Sequence, residues 1–116
     1  MRPALLAAAA IAGLPSAALA HAILVSSQPP ADGAVPAGSV AMEFHFNSRI
    51  DRVRSRLLLT RPDHTQAVLP ILREGPEDAL RAQAELTPGS YAVRWQVLAV
   101  DGHITRGDVR FKVTSP

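Results

Sequence analysis

With 116 residues, no cysteine and a formal net charge of +2, the chain has room for one small domain. It lacks the thiolates that zinc fingers, iron–sulfur clusters, redox cysteine pairs and cysteine nucleophiles require. No basic stretch is interleaved with aromatic residues, which argues against a nucleic-acid partner. The one local basic group, Arg49, Arg52, Arg54 and Arg56, reads as a solvated strand or loop edge, where charge discourages strand pairing.

In chain order, residues 1–20 carry Arg2, an apolar run over 4–14, Pro15, and small residues Ala18 and Ala20 around Leu19. That is the n-region, h-region and Ala-x-Ala pattern of a secretory signal, and the run is short for a membrane span. Cleavage after Ala20 would leave 21–116 as a single 96-residue domain beginning with His21, with Arg2 removed and a net charge of +1.

Residues 21–27, HAILVSS, predict a first strand. The following QPPADGA and Val35-Pro-Ala-Gly38 predict loop, because proline cannot donate to a ladder and Asp-Gly favours turns. Met42, Phe44 and Phe46 alternate with Glu43, His45 and Asn47, which predicts a strand with its aromatic face inward and His45 outward. Residues 56–60 predict a core strand, 66–72 a strand shortened by Pro70, and 73–78 a charged loop. Residues 79–86 are mostly good helix formers, but their place between turns in a β-rich chain favours an edge strand.

The clearest pattern spans 87–113. Tyr91, Val93, Trp95, Val97 and Ala99 share one parity, Arg94 and Gln96 the other, and Val109, Phe111 and Val113 alternate with Asp108, Arg110 and Lys112. About seven short strands separated by turn signals predict an all-β sandwich or barrel. Trp95, Phe44, Phe46 and Phe111 are its expected core.

Four histidines occur, His21, His45, His64 and His103. His45 and His64 read as surface residues, one on the polar side of a strand and the other in a Pro-Asp turn. Asp101 and His103 lie two apart across Gly102, so an extended backbone sends both side chains from one face. A carboxylate beside an imidazole suits a metal, although Asp-Gly is also an ordinary turn.

Cleavage before His21 would add a terminal α-amine and a third nitrogen donor, since amine and Nδ1 of one histidine close a six-membered chelate ring. If the first strand brings His21 beside Asp101, the nitrogen-rich set suits tetragonal Cu(II). Zn(II) could use the same groups in a tetrahedron. Reference pKa values of about 7.7–8.0 for an α-amine and about 6.5 for imidazole make such binding weaken as pH falls. No serine has a Gly-x-Ser-x-Gly setting, so a triad hydrolase is disfavoured.

The start His21-Ala-x-Leu-Val-Ser-Ser-x-Pro-x-Ala-Asp-Gly-Ala34, the Phe44-x-Phe46 strand, and Pro88-Gly-x-Tyr-x-Val-x-Trp95 followed by Asp101-Gly-His103 together resemble the CopC family of bacterial periplasmic copper-binding proteins. The resemblance implies an immunoglobulin-like Greek-key sandwich with a Cu(II) site made by His21, Asp101 and His103. It implies a non-catalytic, monomeric periplasmic carrier in copper homeostasis or resistance, delivering to a separate inner-membrane transporter of the CopD type. Some members of that family also carry a Met-rich Cu(I) site. Here only Met42 follows the signal, and alternation places it in the core. Two other readings of the same residues are a copper enzyme built on an N-terminal histidine brace and a metal-free immunoglobulin-like interaction module.

Overall fold

The computed structural model describes residues 22–116; the expected signal segment and His21 lie outside them. A three-stranded sheet runs in the order β1 (Leu24–Gln28), β3 (Gly38–Phe46), β6 (Ala79–Leu86). It faces a five-stranded sheet in the order β2 (Gly33–Pro36), β8 (Ile104–Thr114), β7 (Gly89–Ala99), β4 (Ile50–Thr60), β5 (Gln66–Leu69). With β1, β3 and β6 as strands A, B and E, and β4, β7 and β8 as C, F and G, this is the immunoglobulin-like sandwich expected from the resemblance.

The alternation read from the sequence lines the interior. Met42, Phe44 and Phe46 from one sheet meet Leu57, Leu59, Tyr91, Val93, Trp95, Val97, Val109, Phe111 and Val113 from the other, all buried. Trp95 sets its indole edge-on to Phe46, with ring centroids 5.1 Å apart at 71°, a favourable quadrupole geometry. It also fixes its neighbour on β8. A Cβ at Gly107, the residue paired with Trp95, would fall 2.4 Å from the indole Cζ2, so only glycine admits the ring. With no cysteine in the chain, this interior is held without disulfides.

Two segments depart from the sequence expectations. The expected loop over 28–38 contains a strand, and the described residues form eight strands rather than about seven. β2 runs parallel to β8 from Gly33↔Phe111 to Pro36↔Thr114 at the sheet edge, the position where a proline without an N–H is tolerated.

β4 begins six residues earlier than expected and lies centrally between β7 and β5, as a core strand should, so that Arg52, Arg54 and Arg56 of the basic group are not at a sheet edge. Between the pairs Asp51↔Leu98 and Arg56↔Gln96, residues 52–55 bulge opposite Val97 and lift Val53 almost fully into solvent. Ser55 repairs the gap in the ladder: its hydroxyl donates to the Asp51 carbonyl at 2.6 Å and accepts from the Leu98 N–H at 3.2 Å. The basic group is engaged rather than simply solvated. Arg52 donates to the carbonyls of Arg73, Gly75 and Pro76, Arg54 pairs with Asp51, and Arg49 with Glu77. Residues 79–86 are a strand, as context rather than propensity indicated, pairing with β3 from Gly38↔Leu86 to His45↔Ala79.

Candidate metal centre

β7 and β8 form an uninterrupted ladder from Gly89↔Val113 to Leu98↔Ile104, and the candidate centre is the turn that joins them. The Gly102 N–H donates to the Ala99 carbonyl at 2.9 Å, and the Ala99 N–H donates to the His103 carbonyl at 2.8 Å. This leaves a three-residue loop over 100–102 whose last position is left-handed, with φ of +93° at Gly102. Three-residue hairpin loops place a left-handed glycine there. The Asp-Gly pair is therefore a turn in fact as well as in sequence.

The same turn brings donors together. Asp101 Oδ1 accepts the His103 backbone N–H at 3.0 Å, while Oδ2 lies 3.1 Å from His103 Nδ1. Two cis ligands held about 2 Å from one ion stand roughly 2.8 Å apart, so this spacing already approximates one edge of a coordination square. The contact can also act one shell out, with Nδ1–H on the carboxylate and Nε2 turned toward an ion. His103 keeps 57% and Asp101 31% of its side-chain surface exposed, so an ion can reach both.

The first described residues arrive at this corner. Thr105, two residues beyond His103, donates its hydroxyl to the Ala22 carbonyl at 2.8 Å. Asn47 holds the next residue by both backbone groups: its Oδ1 accepts the Ile23 N–H at 2.8 Å and its own N–H donates to the Ile23 carbonyl at 3.0 Å. Ala22 is the residue that follows His21 in the sequence, and it is fully buried in the interior cluster. Sequence reasoning missed Thr105 and Asn47. Thr105 left a trace, a hydroxyl residue on the otherwise apolar parity of β8, while Asn47 left none beyond ending the alternation after Phe46.

The other histidines stay apart, as their surface reading required. His45 projects from the outer face of β3 with Nε2 2.7 Å from Glu43 Oε2, and His64 occupies the turn after β4 with φ of +71°. Among the described residues the corner contributes two donors, and no cluster of three or more His, Asp or Glu forms. Two open clefts among the described residues, of about 700 and 740 Å³, do not touch it. One is lined by Arg61, His64, Tyr91 and Arg110 at the far end of β7, the other by Val53, Val68 and Ile71 beside the bulge. The corner is thus distinguished by converging donors, which are what an ion needs, and not by enclosed volume.

The model of the CopC domain matches residues 24–114. The chain belongs to the CopC family. Protein YobA of Escherichia coli K12 is 32% identical over 98 residues, covering 81% of this chain and 79% of YobA, and Protein YobA of Shigella flexneri matches equally. Among solved structures, CopC from Methylosinus trichosporium OB3b superposes with a TM-score of 0.73 at 25% identity, covering 82% of this chain and 95% of that one. PcoC, a methionine-rich copper resistance protein from Escherichia coli, superposes at 0.68 and 25% identity, covering 82% of this chain and all of PcoC.

Within this CopC domain, Asp101 and His103 lie side by side through a turn with a left-handed Gly102 rather than through the extended backbone expected from their spacing, and His21 falls outside the described residues. One difference from PcoC follows from composition. PcoC is described as methionine-rich, whereas this chain has two methionines, Met1 and a fully buried Met42.

Proposed function

We propose that this CopC-domain protein binds Cu(II) in the bacterial periplasm through His21, Asp101 and His103, and carries or buffers the ion in copper homeostasis or resistance without catalysing a reaction on it. Removal of residues 1–20 creates the α-amine of His21, which joins its own imidazole, the Asp101 carboxylate and the His103 imidazole around one ion. The observation that carries the reading is the 3.1 Å approach of Asp101 and His103, two residues before Thr105, which bonds the carbonyl of Ala22, the residue after His21.

The membership in the CopC family and the likeness to PcoC, a copper resistance protein, support copper as the cargo. Nitrogen and oxygen donors with no accessible thioether favour Cu(II) over Cu(I). A half-exposed site at the tip of a hairpin suits handing the ion on, and the recipient is an inner-membrane transporter of the CopD type. The carrier works as a monomer.

The test uses protein exported and processed by the cell, with its terminus verified by mass. Cu(II) titration followed by electron paramagnetic resonance should show one tetragonal site of sub-micromolar or tighter affinity. Retaining a single methionine before His21 converts the amine to a peptide amide and should abolish that affinity. Equal binding by the extended form would overturn the assignment of His21.

A further inference from the structure

We infer that Thr105 and Asn47 are positioning residues which hold the segment after His21 in register over the Asp101–His103 corner, so that the terminal ligand is ordered before the ion arrives. This rests on the copper reading above and extends it to residues outside the ligand set.

Thr105 shares its parity on β8 with Gly107, Val109, Phe111 and Val113, the inward side of the strand, and pairs with the fully buried Val97. A hydroxyl on that side needs a partner. Ala22 supplies one. It precedes β1, whose ladder with β3 starts at Leu24↔Phe46, so its buried carbonyl has no strand neighbour and takes the Thr105 hydroxyl instead. The bond joins residues 83 positions apart and bridges the mouth between the sheets, because Thr105 belongs to the five-stranded sheet and Ala22 leads into the three-stranded one.

Asn47 closes the other side. Its side chain and its backbone grip Ile23 just beyond the end of the β1–β3 ladder, which extends the pairing by one residue toward the terminus. Residue 21 is one Cα step, about 3.8 Å, from Ala22. His103 is two residues, about 7 Å along the strand, from Thr105. The Thr105 tether therefore anchors Ala22 two strand positions from His103, and Asn47 fixes the residue next to it. Chain termini fray unless tied down, and a ligand that must be ordered on binding loses that entropy from its affinity. A terminus held in place beforehand avoids the loss.

Thr105→Val keeps the shape and strand preference of the side chain and removes only the hydroxyl, while Thr105→Ser keeps the hydroxyl. In exported, processed protein, the valine variant should bind Cu(II) about five- to tenfold more weakly, the worth of one hydrogen bond. In the metal-free protein the Ile23 amide should exchange its hydrogen faster by a similar factor. The serine variant should restore both. A valine variant within twofold of native in affinity and exchange would overturn the inference, as would a serine variant as impaired as the valine one. Failure of the native protein to bind Cu(II) would instead remove the copper reading; the tether would then stand or fall on the exchange rates alone, which need no metal.

Discussion

The two ends of the β7–β8 hairpin use polar side chains in opposite ways. At the start of β7, Tyr91 is buried and its hydroxyl donates to the Thr87 carbonyl at 2.7 Å while accepting the Thr87 N–H at 3.2 Å. Its ring stacks on Phe111 with centroids 5.8 Å apart. This is the tyrosine corner of immunoglobulin-like sandwiches, in which a phenol seals the backbone a few residues upstream. At the far end, Asp101 and His103 stay partly exposed, and Thr105, two residues beyond His103, bonds the Ala22 carbonyl 83 positions away in the chain. A polar group saturated by its own neighbourhood and buried is structural, and the proposed copper reading assigns the partly exposed pair a different role on the same two strands.

That contrast can be broken or sharpened by substitution. The largest effect belongs to Trp95, which lies between the two ends. Trp95→Ala should lower stability by roughly 3–5 kcal/mol in urea unfolding, toward the low side of that range. Its buried indole N–H has no partner among the described residues, and removing it relieves part of a desolvation cost.

The next pair tests the two ends directly. Tyr91→Phe should cost about 1–2 kcal/mol, since it strands the Thr87 carbonyl and N–H, and should leave Cu(II) affinity unchanged. His103→Ala should do the reverse, shifting stability by less than about 0.5 kcal/mol while weakening Cu(II) at least a hundredfold, or roughly 2.7 kcal/mol. If either variant moved both quantities, the division of labour between the ends would be wrong. Native copper affinity in His103→Ala would leave the corner as a turn and nothing more.

The smallest change should come from the solvent face of the same strands. Arg94 grips Asp108 with two hydrogen bonds of 2.9 Å, and this contact, ahead of the partly opposing effect of burial, holds the Asp108 carboxyl below its usual range. A carboxyl whose folded pKa is depressed stabilises the fold above its unfolded pKa of about 3.9 and loses that contribution as pH falls through the lower folded value. Asp108→Asn should therefore show a slight deficit at neutral pH, small because the pair is largely exposed. In urea titrations the deficit should begin to shrink as pH falls below about 4 and should vanish only below the depressed folded pKa.

Much of the fold was legible because side-chain alternation is a local property of an extended chain. The inward faces of β3, β7 and β8 follow residue by residue from parity, and the placement of Met42 in the core followed with them. β2 was hidden because Gly33 and Pro36 argue against a strand locally, and only β8 gives them one. The bulge over 52–55 was hidden because its repair by Ser55 is a contact with a different strand. At the candidate site, the turn and metal readings of Asp101 had seemed to compete. The structure makes them compatible, since one carboxylate oxygen builds the turn and the other faces the imidazole.

The sequence by itself determined that the domain is all-β, which faces of its best strands are buried, and that Asp101 and His103 share one turn, because each depends on residues a few positions apart. Only the tertiary structure decided that Ala22 meets β8 at Thr105, and that the phenol and the imidazole at opposite ends of one hairpin differ in burial and in partners. Those are contacts between segments distant in the chain, and no local pattern encodes them.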